Sequence, residues 1–193
     1  MTYMPRAALS DVLLADEPAP DRADKLGLYG WLIGSWDADV VAHGADGARH
    51  EGQGEIHFAW ALQGRAIQDV WMIPRLEDRL AGAPALPVTG NWYGTTMRIY
   101  DPVLDAWRIY WIDPATNTFY YQIGRRRGAD IVQEGRTESG AASRWSFTEI
   151  TPRSFRWLGE FSLDGGKTWR LAVEVVANRT SSELPAHKIP AEQ

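Results

Sequence analysis

Gly34-Ser35-Trp36-Asp37-Ala38-Asp39-Val40-Val41 is the stretch at which the hydrophobic pattern of this chain changes period. Before it, Leu28, Tyr29, Leu32 and Ile33 recur at helical spacing, so a short apolar helix is expected, with Asp21 as N-cap and Gly34 ending it. From Trp36 onward apolar side chains alternate, and turn signals arrive every 8 to 14 residues. The alternation predicts strands near 36–44, 48–61, 65–74, 93–101, 106–113, 117–127, 130–138, 142–150, 153–162 and 168–179. All links but one are too short for a crossover helix, so strands adjacent in sequence should be antiparallel neighbours, which excludes a parallel α/β fold. The expected class is all-β: an antiparallel up-and-down barrel of about ten strands with a short N-terminal helix at its closed end.

With 193 residues, 45% of them hydrophobic, the chain can bury the core of a single domain. The expected organisation is an extended arm over 1–20, carrying Pro5, Pro18, Pro20 and one turn around Leu9 to Leu14, then a barrel over 21–180 and a tail over 181–193. Ten Trp, seven Tyr and five Phe are an aromatic load that a small barrel places on inward positions. A net charge of -5 gives no reason to bind nucleic acid, and Arg125-Arg126-Arg127 reads as a solvated strand end. No Cys is present, so disulfides and thiolate metal sites are excluded, in keeping with a cytoplasmic location. No apolar run approaches the ~20 residues of a membrane helix, and the N-terminus does not read as a signal peptide, so no membrane partner is expected.

The turns have identifiable chemistry. Asp46-Gly47 suits a two-residue type I′ hairpin, Gln63-Gly64 puts Gly in the second place, and Asp101-Pro102, Asp113-Pro114 and Thr151-Pro152 fix φ at other corners. Ser162-Leu163-Asp164-Gly165-Gly166-Lys167-Thr168-Trp169 resembles the Asp-box of sialidases at each defining position. One copy in a chain of this length excludes a propeller, so the motif is read as a structural hairpin without glycosidase activity. The link from Ile73 to Trp92, with Pro74, Pro84 and Pro87, is unusually long and reads either as a lid over the barrel mouth or as a covering for a sheet edge.

Hairpin register predicts which side chains face inward. A two-residue Asp46-Gly47 turn sets His43 opposite His50 and Trp36 opposite His57; two imidazoles without a third ligand make a poor metal site, and no metal is expected. A Gln63-Gly64 turn pairs Trp60 with Ile67, Phe58 with Asp69 and Ile56 with Trp71. The two registers conflict if Trp36 also faces the core, and a β-bulge at Gly52-Gln53-Gly54 would reconcile them. Burying the aromatic set is worth about 1.5–3 kcal/mol per large side chain, which places Asp69 inside among Phe58, Trp60 and Trp71, where a carboxylate needs a partner or a use. With Tyr100 opposite Trp107, Arg98 and Tyr100 share a face with Trp107, Ile109 and Trp111; a shift of one residue buries Met97, Ile99, Tyr110 and Ile112 instead, and the sequence leaves both open. Phe155, Trp157 and Phe161 form one face of the ninth strand, Trp169, Leu171, Val173 and Val175 one face of the tenth, and Glu134 with Arg136 reads as a surface pair.

Gly34-Ser35-Trp36 and the distant Arg179 look like the lipocalin and calycin arrangement in which an Arg packs across the Trp that plugs the closed end. Together with Arg65-Ala66-Ile67-Gln68-Asp69-Val70-Trp71 and Tyr93-Gly94-Thr95-Thr96, the string from Gly34 to Arg179 is similar to an uncharacterised family of bacterial calycin-like (lipocalin/fatty-acid-binding-protein-like) β-barrel proteins. The resemblance implies a lumen and a structural role for Trp36 and Arg179. Related barrels include the haem-binding nitrobindins, but haem needs an axial ligand near the last strands, and the only His beyond His57 is His187 in the tail, so no cofactor is expected.

Two functions fit. The first is binding of a small apolar or aromatic molecule in a lumen lined by Phe58, Trp60, Trp71, Tyr100, Trp107, Trp111, Trp157 and His57. The second is a lumen-based enzyme of lyase, isomerase or cyclase type, with Asp69 as general acid or base and Arg98 or a Tyr stabilising developing negative charge. No nucleophile triad or phosphate loop is present in the sequence. The expected partner is a small molecule, and association into a homodimer is compatible with the sequence.

Overall fold

Each of the ten strand segments expected from the sequence forms a strand in the computed structural model, which describes residues 7–82 and 91–180. A short helix α1 (Leu9–Leu13) and a two-residue strand β1 (Leu14–Ala15) come first, followed by a 3-10 turn at Pro20–Arg22 and helix α2 (Ala23–Gly30). Strands β2 (Gly34–His43), β3 (Arg49–Ala61) and β4 (Ala66–Ile73) precede helix α3 (Leu76–Leu80). The remaining strands are β5 (Trp92–Asp101), β6 (Ala106–Asp113), β7 (Thr118–Arg127), β8 (Asp130–Arg136), β9 (Ala142–Thr148), β10 (Ser154–Ser162) and β11 (Arg170–Arg179). Every strand from β2 to β11 pairs antiparallel with its sequence neighbour, and β11 pairs back onto β2, which closes the barrel. Strand β1 adds to β3 through Leu14 opposite Ala61, at the end where β2 has already left the sheet.

Two turns decide the inward faces. The Gln63-Gly64 turn has φ 61° and 72° at its central residues, the type I′ geometry, and it sets Trp60 opposite Ile67, Phe58 opposite Asp69 and Ile56 opposite Trp71, as expected. The Asp46-Gly47 expectation needs correction. Gly44 donates its N–H to Ala48 at 2.8 Å and Gly47 takes φ 84°, so three residues form the loop and His43 lies opposite Arg49 rather than His50. That extra residue turns Trp36 to face Ile56 across the pair, and β2 and β3 then run in unbroken register from Gly34 to His43. The bulge inferred at Gly52-Gln53-Gly54 is absent, because the turn already supplies the flip it was invented to give. A bulge does occur in β11, where Gly159 pairs with Val173 but Glu160 with Leu171. It separates Trp169 and Leu171 from Val173 and Val175: Arg144 stacks on the Trp169 ring at 4.1 Å on the outer wall.

Helix α2 plugs one end. Leu26, Tyr29 and Leu32 are fully buried, and Trp31, Trp36, Phe147 and Phe155 pack edge-on or tilted around them, with Trp36 and Phe155 centroids 4.8 Å apart. The helix ends before the expected Gly34, which instead opens β2 with φ 119°. Asp21 does not cap it; its carboxylate accepts from Arg65 at 2.9 Å. Arg179 lies opposite Trp36, with its guanidinium 4.0 Å from the ring and bonds to the carbonyls of Ile33 and Trp31 at 2.7 Å each. A Cβ on Gly34 would sit 2.7 Å from that guanidinium, so glycine is needed there for space as well as for φ.

The described part of the long link does not cross the mouth. Arg75 pairs with Asp37 at 2.6 Å, Leu76 N–H donates to Glu55, and Arg79 ties Pro74, Ile73 and Trp92 carbonyls together while covering the Tyr93 ring, all on the outer wall. The pairing of β3 with β4 begins only at Glu55, opposite Met72, and the link passes that point where Leu76 meets Glu55. Residues 83–90, including Pro84 and Pro87, and the tail with His187 lie outside the described residues. At 162–169 the Asp-box turn forms as expected: Asp164 accepts from the N–H groups of Lys167 and Thr168 and both flanking hydroxyls, and Trp169 Nε1 donates to Gly166. Glu134 and Arg136 both lie off the core, but Glu134 pairs with Arg127 rather than with Arg136.

Candidate functional site

The turn at Gln63-Gly64 and the link from Asp101 to Ala106 together bring one carboxylate and one guanidinium inside. The β4–β5 register sets Asp69 opposite Thr96 and Ile67 opposite Arg98, and the β5–β6 register sets Tyr100 opposite Trp107, which resolves the open parity in favour of Arg98, Tyr100, Trp107, Ile109 and Trp111 facing inward. Arg98 Nη1 donates to Asp69 Oδ2, and Thr96 N–H donates to Asp69 Oδ1 at 2.7 Å. The pair is sealed from water, with side-chain exposures of 1% for Arg98 and 0% for Asp69. The guanidinium also lies 5.5 Å from the Tyr29 and Phe58 ring centroids, so Arg98 bridges the plug and the lumen above it.

Beyond Arg98 the barrel holds a cavity of about 210 Å³. Five Trp side chains form its walls: Trp71, Trp92, Trp111, Trp145 and Trp157. They touch one another in series, with Trp71–Trp157 centroids 5.4 Å apart and Trp92–Trp157 and Trp145–Trp157 each 5.7 Å apart. Glycines make that possible: a Cβ on Gly94 would lie 2.5 Å from the Trp111 ring, and one on Gly159 would lie 2.8 Å from Trp157. The β11 bulge turns both Ala172 and Val173 toward the cavity, and Phe161 and Tyr120 complete the apolar lining. Burial holds the Tyr120 phenol above its ordinary pKa, with Glu138 adding to the effect, so it stays protonated at neutral pH. The remaining polar lining is Thr96, Thr116 and Thr118.

The residues expected in the site divide by depth. Trp71, Trp111, Trp157 and Arg98 line the cavity. Phe58, Trp60, Tyr100 and Trp107 are buried but sit lower, around α2: Trp107 packs 4.9 Å from Tyr29, the Trp60 ring would be 3.0 Å from a Cβ on Gly30, and Tyr100 bonds Asp105 beside Lys25 in a separate groove under the helix. His57 is on the outer wall, bonded to Ser35 Oγ at 2.9 Å and near Glu55, because the three-residue turn reverses the face assumed for it. Asp69 does not line the cavity, and both its oxygens are occupied. Missing from the expected set were Trp92, Trp145, Tyr120 and Phe161. Trp92 shares parity with Arg98, so it was readable once that face was chosen; Trp145 and Tyr120 carried no such signal.

No family model matches the chain, and no curated protein matches its sequence. Among solved structures, it is similar to Rv2717c from M. tuberculosis, with TM-score 0.53 and 13% identity over 86% of this chain and 100% of that one. It is also similar to the S-type phycobiliprotein lyase CPES from Guillardia theta, with TM-score 0.54 and 11% identity over 80% of this chain and 92% of that one. At these identities the likeness is one of fold. In fold, the chain stands among the lipocalin- and calycin-like barrels.

Proposed function

We propose that the protein binds a small, largely aromatic molecule in the upper half of its barrel. The observation that carries this is the cavity of about 210 Å³ walled by five Trp and reached by only a few polar groups, the composition of a small-molecule pocket. Size narrows the class. An apolar protein cavity of about 150 Å³ accommodates benzene, so this one suits a substituted single ring or a compact bicycle. It falls below the ~300–1,000 Å³ of pockets for drug-sized ligands, which argues against a tetrapyrrole or a long acyl chain. The lumen-based enzyme is the weaker reading, because its proposed acid or base, Asp69, does not line the cavity and is held by Thr96 and Arg98.

The test is native mass spectrometry of the protein purified from its own host, beside Ala172→Phe, which projects a ring into the cavity from the bulge. A retained small molecule in the parent that is lost in the variant supports the reading. If the host supplies none, thermal shift with benzene and indole decides: a ligand at 100 times its Kd adds about 2.7 kcal/mol of stability. No retained mass and no shift with either probe overturns it.

A further inference from the structure

Among the described residues, two buried N–H donors without a hydrogen-bond partner belong to side chains that line the cavity: Trp71 Nε1 and Arg98 Nε. Their residues are 3% and 1% exposed, so water does not satisfy them from outside the barrel. The other buried unpartnered atoms, on His43, Gln68, Gln122 and Gln133, belong to residues that do not line it. Among the described residues, no carboxylate and no amide lines the cavity, and the side-chain acceptors there are the hydroxyls of three Thr and of Tyr120. Two of those, Thr116 and Thr118, are already bonded to each other at 2.9 Å. The two unpartnered buried atoms on lining side chains are thus both donors, and a buried donor recovers its lost hydration only from an acceptor.

Charge then selects among acceptors. The guanidinium of Arg98 is already neutralised by Asp69. A ligand carboxylate would bring a second negative charge to one cation in an apolar enclosure, leaving a net charge with nothing to balance it. A quaternary ammonium would meet the aromatic faces favourably, but it would stand near Arg98 and leave both donors unsatisfied. A carbonyl oxygen adds no net charge and carries two lone pairs. We infer that the lumen ligand is a neutral aromatic carbonyl compound, such as an aromatic ketone, aldehyde or amide, whose oxygen accepts from Trp71 Nε1 or Arg98 Nε while its ring lies among the Trp side chains. This rests on the proposal that the lumen binds small molecules, and the test separates the two.

Four probes of similar size are compared by calorimetry: acetophenone, ethylbenzene, benzoate and phenyltrimethylammonium. Acetophenone should bind at least tenfold more tightly than each of the others. The indole N–H resonance of Trp71, assigned by its loss in Trp71→Phe, or the Arg98 Nε–H resonance should move on adding acetophenone and not on adding ethylbenzene. Equal binding of ethylbenzene and acetophenone leaves lumen binding intact and overturns the inference. A preference for benzoate or phenyltrimethylammonium overturns it in favour of an anion or a cation. Acetophenone preference with both N–H resonances unmoved also overturns it, and failure of all four probes to bind overturns both proposals.

Discussion

Replacing Asp69 by Asn removes one charge from the barrel interior and little else. The amide oxygen still accepts from Thr96 N–H, now 2.7 Å from Oδ1, and the volume hardly changes, but Arg98 loses its carboxylate partner while remaining 1% exposed. Breaking a fully buried ion pair on one side costs about 3–5 kcal/mol, because the remaining charge is stranded. At about 2–4 °C per kcal/mol for a domain of this size, Tm should fall by roughly 6–20 °C. Removing both charges is the control. Asp69→Leu with Arg98→Met should come back to within about 1–2 kcal/mol of the parent, since apolar replacements of buried pairs are often neutral. Urea denaturation of the parent, the Asn variant and the double variant gives the comparison, with the slope checked for constancy. An Asn variant within about 1 kcal/mol of the parent would refute the argument that Asp69 is the structural counter-ion of Arg98. It would also restore Asp69 as a group available for chemistry.

Arg179→Ala should cost about 2–4 kcal/mol, because it removes both the stack on Trp36 and charged donors to the Ile33 and Trp31 carbonyls. Arg179→Lys should recover little of that in the same denaturation assay, as an ammonium cannot fork to two carbonyls and lie flat on an indole. A Cβ on Gly124 would meet the Tyr29 hydroxyl at 2.3 Å, so Gly124→Ala should destabilise by about 1–3 kcal/mol, and Tyr29→Phe in the same chain should relieve part of the loss. Additive losses in that double-variant cycle would mean that the clash is not with the hydroxyl. For the 162–169 hairpin, the Thr168 hydroxyl first, then Thr168 N–H and the Ser162 hydroxyl hold the Asp164 pKa well below the usual carboxylate range. A lowered folded-state pKa means that the stabilisation is complete above the unfolded value near 4. It is lost as pH falls through the folded value. The protection of the Lys167 and Thr168 amides, taken as the intrinsic exchange rate at each pH over the observed rate, should therefore stay constant at pH 4–7 and fall only in stronger acid, whereas Asp164→Ala should lower it throughout.

The sequence by itself determined the local periods. Alternation from Trp36 to Arg179 and the Pro and Gly corners gave ten strands and their order, and the Gln63-Gly64 turn placed Asp69 inside because a two-residue loop leaves a single register. The sequence could not distinguish a two-residue from a three-residue loop at Asp46-Gly47, and with a side-chain period of two that single residue decided whether His57 was in the lumen or on the wall. The bulge at Ala172 reversed Trp169 for the same reason. Depth along the barrel was the other matter left to the tertiary structure. Phe58, Trp60, Tyr100 and Trp107 have the same alternation as Trp71, Trp111 and Trp157, so no pattern along one strand tells a filled half from a hollow one. That division follows from how far α2 enters the barrel, where Tyr29 reaches Trp107 and Arg98 and leaves the space beyond Arg98 to the Trp-lined cavity. It is a contact between a helix and strands roughly seventy to eighty residues away, which local periodicity does not encode.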